Sequence, residues 1–581
     1  MDTVGVVRRG PEHQDSDVAA TIDRLKDGAW RWWPNRAGFE GLVEHRGPIR
    51  LRVRGEIPPW AAGSLFRTGP GQSTVEGTVR GTHYVSHWFD GFAHTHRFDI
   101  VEEDDDGGKT VAVIYSSRRQ SDAHVEHIRR EGWRSSTSFG QRADPCIGIF
   151  AKLMSFFIPR RINTNVVCNP NYPGLPRTAP DDGADSAAPS TLASRRTGVS
   201  SIFISTDHCS LQEISPDTLE PLGFTNQRGL HPDLGGPMSC AHSQRDPVTG
   251  DVFNYNLALG RLATYRVFRV NAADGSTDIL ATLSEPDIPP AYMHSFFLTE
   301  NYVVLCIPSA HFAWNGLKIL WRRNLLDAIK PFDAQQHCIW LVVDRRHGRG
   351  LVCRFTTPAA FYFHTVNAFE ERVEEDGDDE ATVHLNLDAV FYDNTDVIFA
   401  LYYDVILDRD DAMSNFVRDG RFLSARNRLV RHRFRMPKVT DSPPPPHQAQ
   451  EIFSIPNPHS GELSSINPAY AGRRHRYVFG TSTRGLSTLM DTIVKTDLDT
   501  RQVLFWAGPW GHTPGEPIFV ARPGATAEDD GVLLSVVLDG AAKRSYLLCL
   551  DARTLVEMGR AETDFAIAIG FHGFHAPVLK P

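Results

Sequence analysis

Cysteine is scarce in this chain and never occurs at metal-binding spacing: eight residues are scattered from Cys146 to Cys549, with no Cys-x-x-Cys pair. That excludes a zinc-thiolate signature and suits small buried thiols in a reducing compartment. No uninterrupted apolar run approaches the length needed to span a bilayer. The N-terminus, Met1-Asp-Thr-Val-Gly-Val-Val-Arg-Arg, also lacks the apolar core of a secretory signal, so a soluble, cytoplasmic protein is expected. Positive charge is not in excess: 61 Lys and Arg against 70 Asp and Glu leave a formal charge of −9. This argues against a general nucleic-acid binder and fits a basic partner or a neutral substrate. No local metal motif such as His-Glu-x-x-His is formed either.

What the chain does have is β structure. Val111-Ala-Val-Ile-Tyr, Tyr302-Val-Val-Leu-Cys-Ile, Ile339-Trp-Leu-Val-Val and Val532-Leu-Leu-Ser-Val-Val-Leu are short, β-branched and bounded by turn residues. Many such strands imply a sandwich, a barrel or a propeller. Turns headed by Ser215, Asn271, Asp344, Asp497 and Asp551 each join two apolar stretches, a weak repetition that favours a propeller. Residues 1–20 read as a disordered polar tail, followed by Trp30, Trp32 and Trp33, which could anchor an N-terminal arm. The rest, 21–581, reads as one domain with surface insertions near 174–200, 370–380 and 440–450.

Two segments break the β pattern. Residues 146–161 are apolar almost all round and end in a basic pair, and residues 313–330 have helical periodicity with a basic polar side. Either both pack on the sheets, or one or both touch a membrane surface so that a lipophilic molecule can enter.

Four histidines stand among strand-forming residues: His242 in Ser-Cys-Ala-His-Ser, His294 in Tyr-Met-His-Ser-Phe, His364 in Tyr-Phe-His-Thr-Val and His572 in Gly-Phe-His-Gly-Phe-His. An unpaired imidazole in apolar surroundings costs free energy that a metal ion would offset at one ring nitrogen. The other nitrogen then needs an acceptor, and Glu462 and Glu516, at the entrances to apolar stretches, are candidates. An all-histidine shell leaves a metal its full charge and open positions, which suits Fe(II) chemistry with O2 better than zinc hydrolysis.

These segments resemble, in order, the marker motifs of the carotenoid cleavage oxygenases. Leu65-Phe-Arg-Thr-Gly-Pro-Gly is similar to the family's Arg-x-Gly-Pro element, and His87-Trp-Phe-Asp-Gly to its His-x-Phe-Asp-Gly strand pair. Ala241-His-Ser-Gln-Arg-Asp, Tyr292-Met-His-Ser-Phe-Phe, Phe363-His-Thr-Val-Asn, Glu462-Leu-Ser-Ser-Ile-Asn-Pro, Glu516-Pro-Ile-Phe-Val and Phe571-His-Gly-Phe-His follow. The resemblance implies an all-β fold, a seven-bladed propeller with helices and long loops capping one face over one Fe(II), O2 being the co-substrate. His242, His294, His364 and His572 would hold the iron, and His575 falls off the ligand position. Glu462 and Glu516 would accept from ligand imidazoles. A third family glutamate falls at Asp207, one methylene shorter.

The activity implied is oxidative cleavage of a conjugated double bond in a carotenoid or apocarotenoid, giving two carbonyl products. A related branch cleaves hydroxylated stilbenes with a tyrosine and a lysine. Here Tyr115-Ser-Ser-Arg-Arg carries arginines near the place to look for that lysine, which favours the carotenoid. A second branch, a retinoid isomerase, uses the same iron without net oxygenation and has no positive support in these residues. From other classes come a non-catalytic binding propeller and a zinc hydrolase; the latter lacks an accompanying nucleophile.

Overall fold

Five turns headed by Ser, Asn or Asp close antiparallel strand pairs in the computed structural model, which describes residues 5–105, 108–134, 136–142, 163–176, 193–374, 381–437 and 449–579. In four of them the fifth residue's N–H returns to the first carbonyl at 2.8–2.9 Å: Leu219 to Ser215, Gly275 to Asn271, Arg501 to Asp497 and Leu555 to Asp551. That fifth residue is left-handed, with φ between 57° and 73°. The head side chain completes the turn: Asp497 Oδ1 accepts from the N–H groups of Asp499 and Thr500 at 3.0 and 3.2 Å. The repetition seen in the sequence is therefore one turn geometry used repeatedly.

The strands collect into antiparallel sheets that follow the chain. Four sheets lie within 167–226, 238–283, 297–357 and 361–456, and a fifth, 462–507, takes Gly5–Arg9 as an added edge strand. A ten-stranded sheet joins 512–562 to 49–119 through the single strand Ile49–Gly55, which pairs with both halves. The last strand, Gly573–Pro577, pairs with Gly63–Gln72, so the C-terminus is tied to the N-terminal strands. Strands such as Tyr302–Ile307 and Gly531–Asp539 are buried on both faces. Their unbroken apolar runs follow from sheets packed between neighbours rather than half-exposed to water.

The polar N-terminus is ordered from Gly5, contrary to the tail expected over 1–20. Gly5–Arg9 pairs with Val503–Ala507, and Gln14–Asp27 is a helix that ends at Gly28, φ 74°. Adding an edge strand needs backbone groups, not apolar side chains, so composition alone misses it. Buried Asp17 then meets His459 Nε2 at 3.0 Å and Arg9 Nε at 3.4 Å. Trp30 and Trp33 are buried as anchors, whereas Trp32 is exposed.

Residues 313–330 do not form the single helix that their periodicity predicts. They break into Ala313–Gly316, Leu317–Arg322 and Leu325–Ala328, because Trp314, Asn315 and Arg323 take positive φ. Segment 146–161 lies outside the described residues, as do most of 174–200 and 440–450 and the tip of 370–380. Among the described residues, no helix is long and apolar enough to cross a membrane.

Candidate metal centre

His364 lies where the strand Phe361–Val373 loses register with Thr382–Tyr392. Tyr362 pairs with Phe391 and Thr365 with Ala389, so Phe363 and His364 together face one partner residue. Such a bulge re-aims side chains, and here it turns the imidazole inward. The other three histidines sit just outside strand ends: His242 between Met238–Ser239 and Gln244–Arg245, His294 before Phe297–Leu298, and His572 before Gly573–Pro577. Only irregular backbone lets rings from four distant segments converge.

They do converge: one ring nitrogen from each of His242, His294, His364 and His572 lies within 4.8 Å of the others. The rings of His294, His364 and His572 pack edge-on against that of His242, with centroids 4.8, 5.0 and 4.4 Å away. His575 points elsewhere, its Nε2–H donating to the Ala61 carbonyl at 3.1 Å, and burial pushes it down to about 4.

Each of the three predicted carboxylates holds one ring. The Nδ1–H of His364 donates to Glu462 at 2.6 Å and that of His572 to Glu516 at 2.7 Å. Asp207, despite its shorter side chain, accepts from His294 Nδ1–H through both oxygens at 2.9 Å, with no water needed to bridge the gap. Its carbonyl also accepts from Ser239 N–H and its Oδ1 from Ala241 N–H at 3.2 Å, which pulls it toward the His242 segment. With Nδ1 protonated, each Nε2 presents a lone pair.

These lone pairs are the test of metal fit. The Nε2 atoms of His364 and His572 stand 3.1 Å apart, and among the described residues buried His242 Nε2 has no hydrogen-bond partner. Bare nitrogens so close repel unless a cation lies among them. Burial, followed by the neighbouring imidazoles, holds His242 well below its usual value, and burial lowers His572 as well, so protonation is disfavoured at both. The four histidines fit a metal site.

Several contributors were not legible as such in the sequence. Tyr292 donates its hydroxyl to Asp207 Oδ2 at 2.8 Å, and Tyr392 donates to Glu462 Oε1 at 2.7 Å. Burial, then the adjacent carboxylate, raises both phenols well above their usual value, so they remain donors. Arg67, from the Arg-Thr-Gly-Pro element, is buried and donates to the carbonyls of Glu516 and Gly570 at 3.3 and 3.0 Å, fixing the two segments that bring Glu516 and His572 together. His87 accepts from Phe89 N–H at 3.2 Å and donates to Ile398 at 2.9 Å, which sets the Trp88-Phe89 turn over the site.

Beside the imidazoles lies an apolar cavity whose wall contains His294, His364, His572, Phe89, Phe363 and Phe571. A second reaches from Asp207 to Ile319 and Leu325. The two share Phe89 and Val166. Among the described residues, neither is lined by a lysine. Of the arginines after Tyr115, Arg118 pairs with Glu44 and Glu220 and Arg119 donates to the Leu42 carbonyl, while Tyr115 bonds His96.

A family model described as retinal pigment epithelial membrane protein matches residues 38–577. The chain is 52% identical over 579 residues to a torulene dioxygenase of Gibberella fujikuroi, covering 99% of each chain. It is 48% identical to a carotenoid dioxygenase of Neurospora crassa over 97% of this chain and 94% of that protein. Among solved structures, the cobalt-substituted apocarotenoid oxygenase of Synechocystis superposes with a TM-score of 0.66 at 21% identity, over 94% of this chain and 98% of the other. The likeness makes the fold propeller-like.

Proposed function

Because the chain belongs to the retinal pigment epithelial membrane protein family, the carotenoid cleavage oxygenases, we propose that it is a non-haem iron(II) dioxygenase that splits one conjugated C=C bond of a carotenoid or apocarotenoid into two carbonyl products. One observation carries this reading. Four convergent imidazole nitrogens border an apolar cavity that has three of their rings in its wall. The ten-stranded sheet, taken as two blades sharing Ile49–Gly55, brings the five four- and five-stranded sheets to seven blades, with the histidines at the axis.

Iron(II) held by His242, His294, His364 and His572 would supply open coordination positions for O2 and the electrons to activate it. The chain does the rest by position. Asp207, Glu462 and Glu516 keep three imidazoles in the tautomer whose Nε2 lone pair faces the centre. Phe89, Phe363 and Phe571 offer flat apolar surfaces to a polyene and exclude water. No acid or base is required, because one O2 and one C=C give two C=O atom for atom. The similarity to a torulene dioxygenase and a carotenoid dioxygenase favours this substrate over a hydroxystilbene.

Incubating the iron-loaded protein with torulene, β-carotene, an apocarotenal and resveratrol tests the reading. Aldehydes are expected from at least one polyene and none from resveratrol; cleavage of resveratrol alone would transfer the site to stilbenes.

The reading includes a cytoplasmic protein that touches a membrane through 313–330. Trp314, Leu317 and Trp321 are 64%, 49% and 72% exposed beside exposed Arg322, while Ile319 and Leu325 line the outer cavity. A lipophilic molecule leaving a bilayer there meets the cavity directly. Replacing Trp314 and Trp321 by serine is expected to cut liposome co-sedimentation several-fold while turnover in detergent stays unchanged. Undiminished co-sedimentation would remove this patch from the membrane contact.

A further inference from the structure

Each of the three carboxylates accepts a ring N–H and is anchored by a second donor. For Glu516 that donor is backbone: Gly573 N–H gives to Oε2 at 2.9 Å. For the other two it is a phenol. Tyr292, two residues before His294, gives to Asp207 Oδ2, and Tyr392, at the end of the strand paired with the one bearing His364, gives to Glu462 Oε1.

We propose that Tyr292 and Tyr392 are positioning residues that brace Asp207 and Glu462, and through them fix His294 and His364 for metal binding. The inference rests on the four-histidine reading but is separable from it.

The two braces are unequal. Asp207 keeps an independent anchor on Oδ1 from Ala241 N–H and meets the His294 ring N–H through both oxygens, so loss of the Tyr292 hydroxyl leaves neither oxygen bare. Among the described residues, Glu462 has no such reserve. Its other near donor, Leu463 N–H, reaches Oε2, the oxygen already on His364, at 3.2 Å. Without the Tyr392 hydroxyl, Oε1 becomes a bare acceptor against a cavity lined by Phe363, Val397 and Leu463. The carboxylate then gains by turning toward water, and His364 loses its fixed orientation.

The test is metal affinity, measured by chelator competition with Co(II) and Fe(II) on apo-protein. Tyr392→Phe is expected to weaken binding about 10-fold, the low end of what partners outside the ligand shell contribute, and Tyr292→Phe less than that, about 3-fold. Apo-protein melting should move little in either, which separates bracing from general packing. A double-mutant cycle guards against a poorly folding variant: Glu462→Gln removes the charge that the hydroxyl serves, so adding Tyr392→Phe to it should cost almost nothing more. Wild-type affinity in Tyr392→Phe, or additive losses in the cycle, would overturn the proposal. Undiminished metal binding by His364→Ala would instead overturn the ligand assignment on which it rests.

Discussion

Replacing His572 by alanine is expected to remove both the bound metal and the cleavage activity. The imidazole contributes one of the four nitrogens that converge within 4.8 Å, and its Nε2 is the one that stands 3.1 Å from His364. Its loss does more than subtract a ligand. Glu516, only 6% exposed, keeps Gly573 N–H on Oε2 but is left with no ring N–H on Oε1. A buried carboxylate stripped of one donor carries a desolvation cost of about 1–3 kcal/mol or more. Metal analysis of the purified variant should therefore show the centre empty, with the fold retained because the Phe571 and His572 backbone still pairs with Thr68 at 3.0 Å. Full metal content and activity in this variant would end the assignment of His572.

The second large effect falls on stability. Asp388, fully buried on Thr382–Tyr392, binds Arg431 through two parallel hydrogen bonds of 2.7 Å each, with His475 Nε2 3.4 Å away. Arg431 is itself enclosed between Phe369 and Phe453, its guanidinium carbon 4.9 and 5.0 Å from the ring centroids. Alanine at 388 leaves that guanidinium buried without its counter-charge, a change that typically costs about 3–5 kcal/mol. The exposed pair Arg269–Asp278 is the control, since breaking it should cost less than about 1 kcal/mol. Denaturant unfolding of both variants measures the difference. Equal, small losses would show that the clamp between these strands is not needed. The sheet concerned carries both His364 and Tyr392, so its loosening should release metal at lower denaturant concentration than in the parent protein.

Much of the site could be read from the sequence because its parts are chemically unusual where they stand. Histidines inside apolar segments need a reason, and glutamates at the mouths of such segments supply acceptors. Asp207 shows how far residue type can mislead: the missing methylene is made good because backbone from the His242 segment donates to the same carboxylate. Tyr292 and Tyr392 were invisible for the opposite reason. Tyrosine in a strand is ordinary core, and nothing local marks a hydroxyl that reaches a carboxylate 85 or 70 residues away along the chain. Arg67 lay inside a recognised element, yet its task, tying Glu516 to the segment before His572, exists only once strands 63–72 and 573–577 have paired.

The fold divides the same way. Turn heads such as Asp497 and Asp551 were legible because the side chain that forms the turn lies within it. The N-terminal strand was not, since its partner, Val503–Ala507, is nearly 500 residues away and asks only for backbone groups. Periodicity over 313–330 predicted a helix but could not register that Trp314, Asn315 and Arg323 adopt positive φ, which no apolar spacing encodes.

The central claim is that this four-histidine centre delivers both atoms of O2 across one carbon–carbon double bond. Turnover of a cleavable carotenoid by the iron-loaded protein under ¹⁸O2, with rapid trapping of the aldehydes before they exchange with water, tests it most directly. Both fragments are predicted to carry one ¹⁸O each. Cleavage with label in neither fragment or in only one, or a product isomerised without label, would contradict the account.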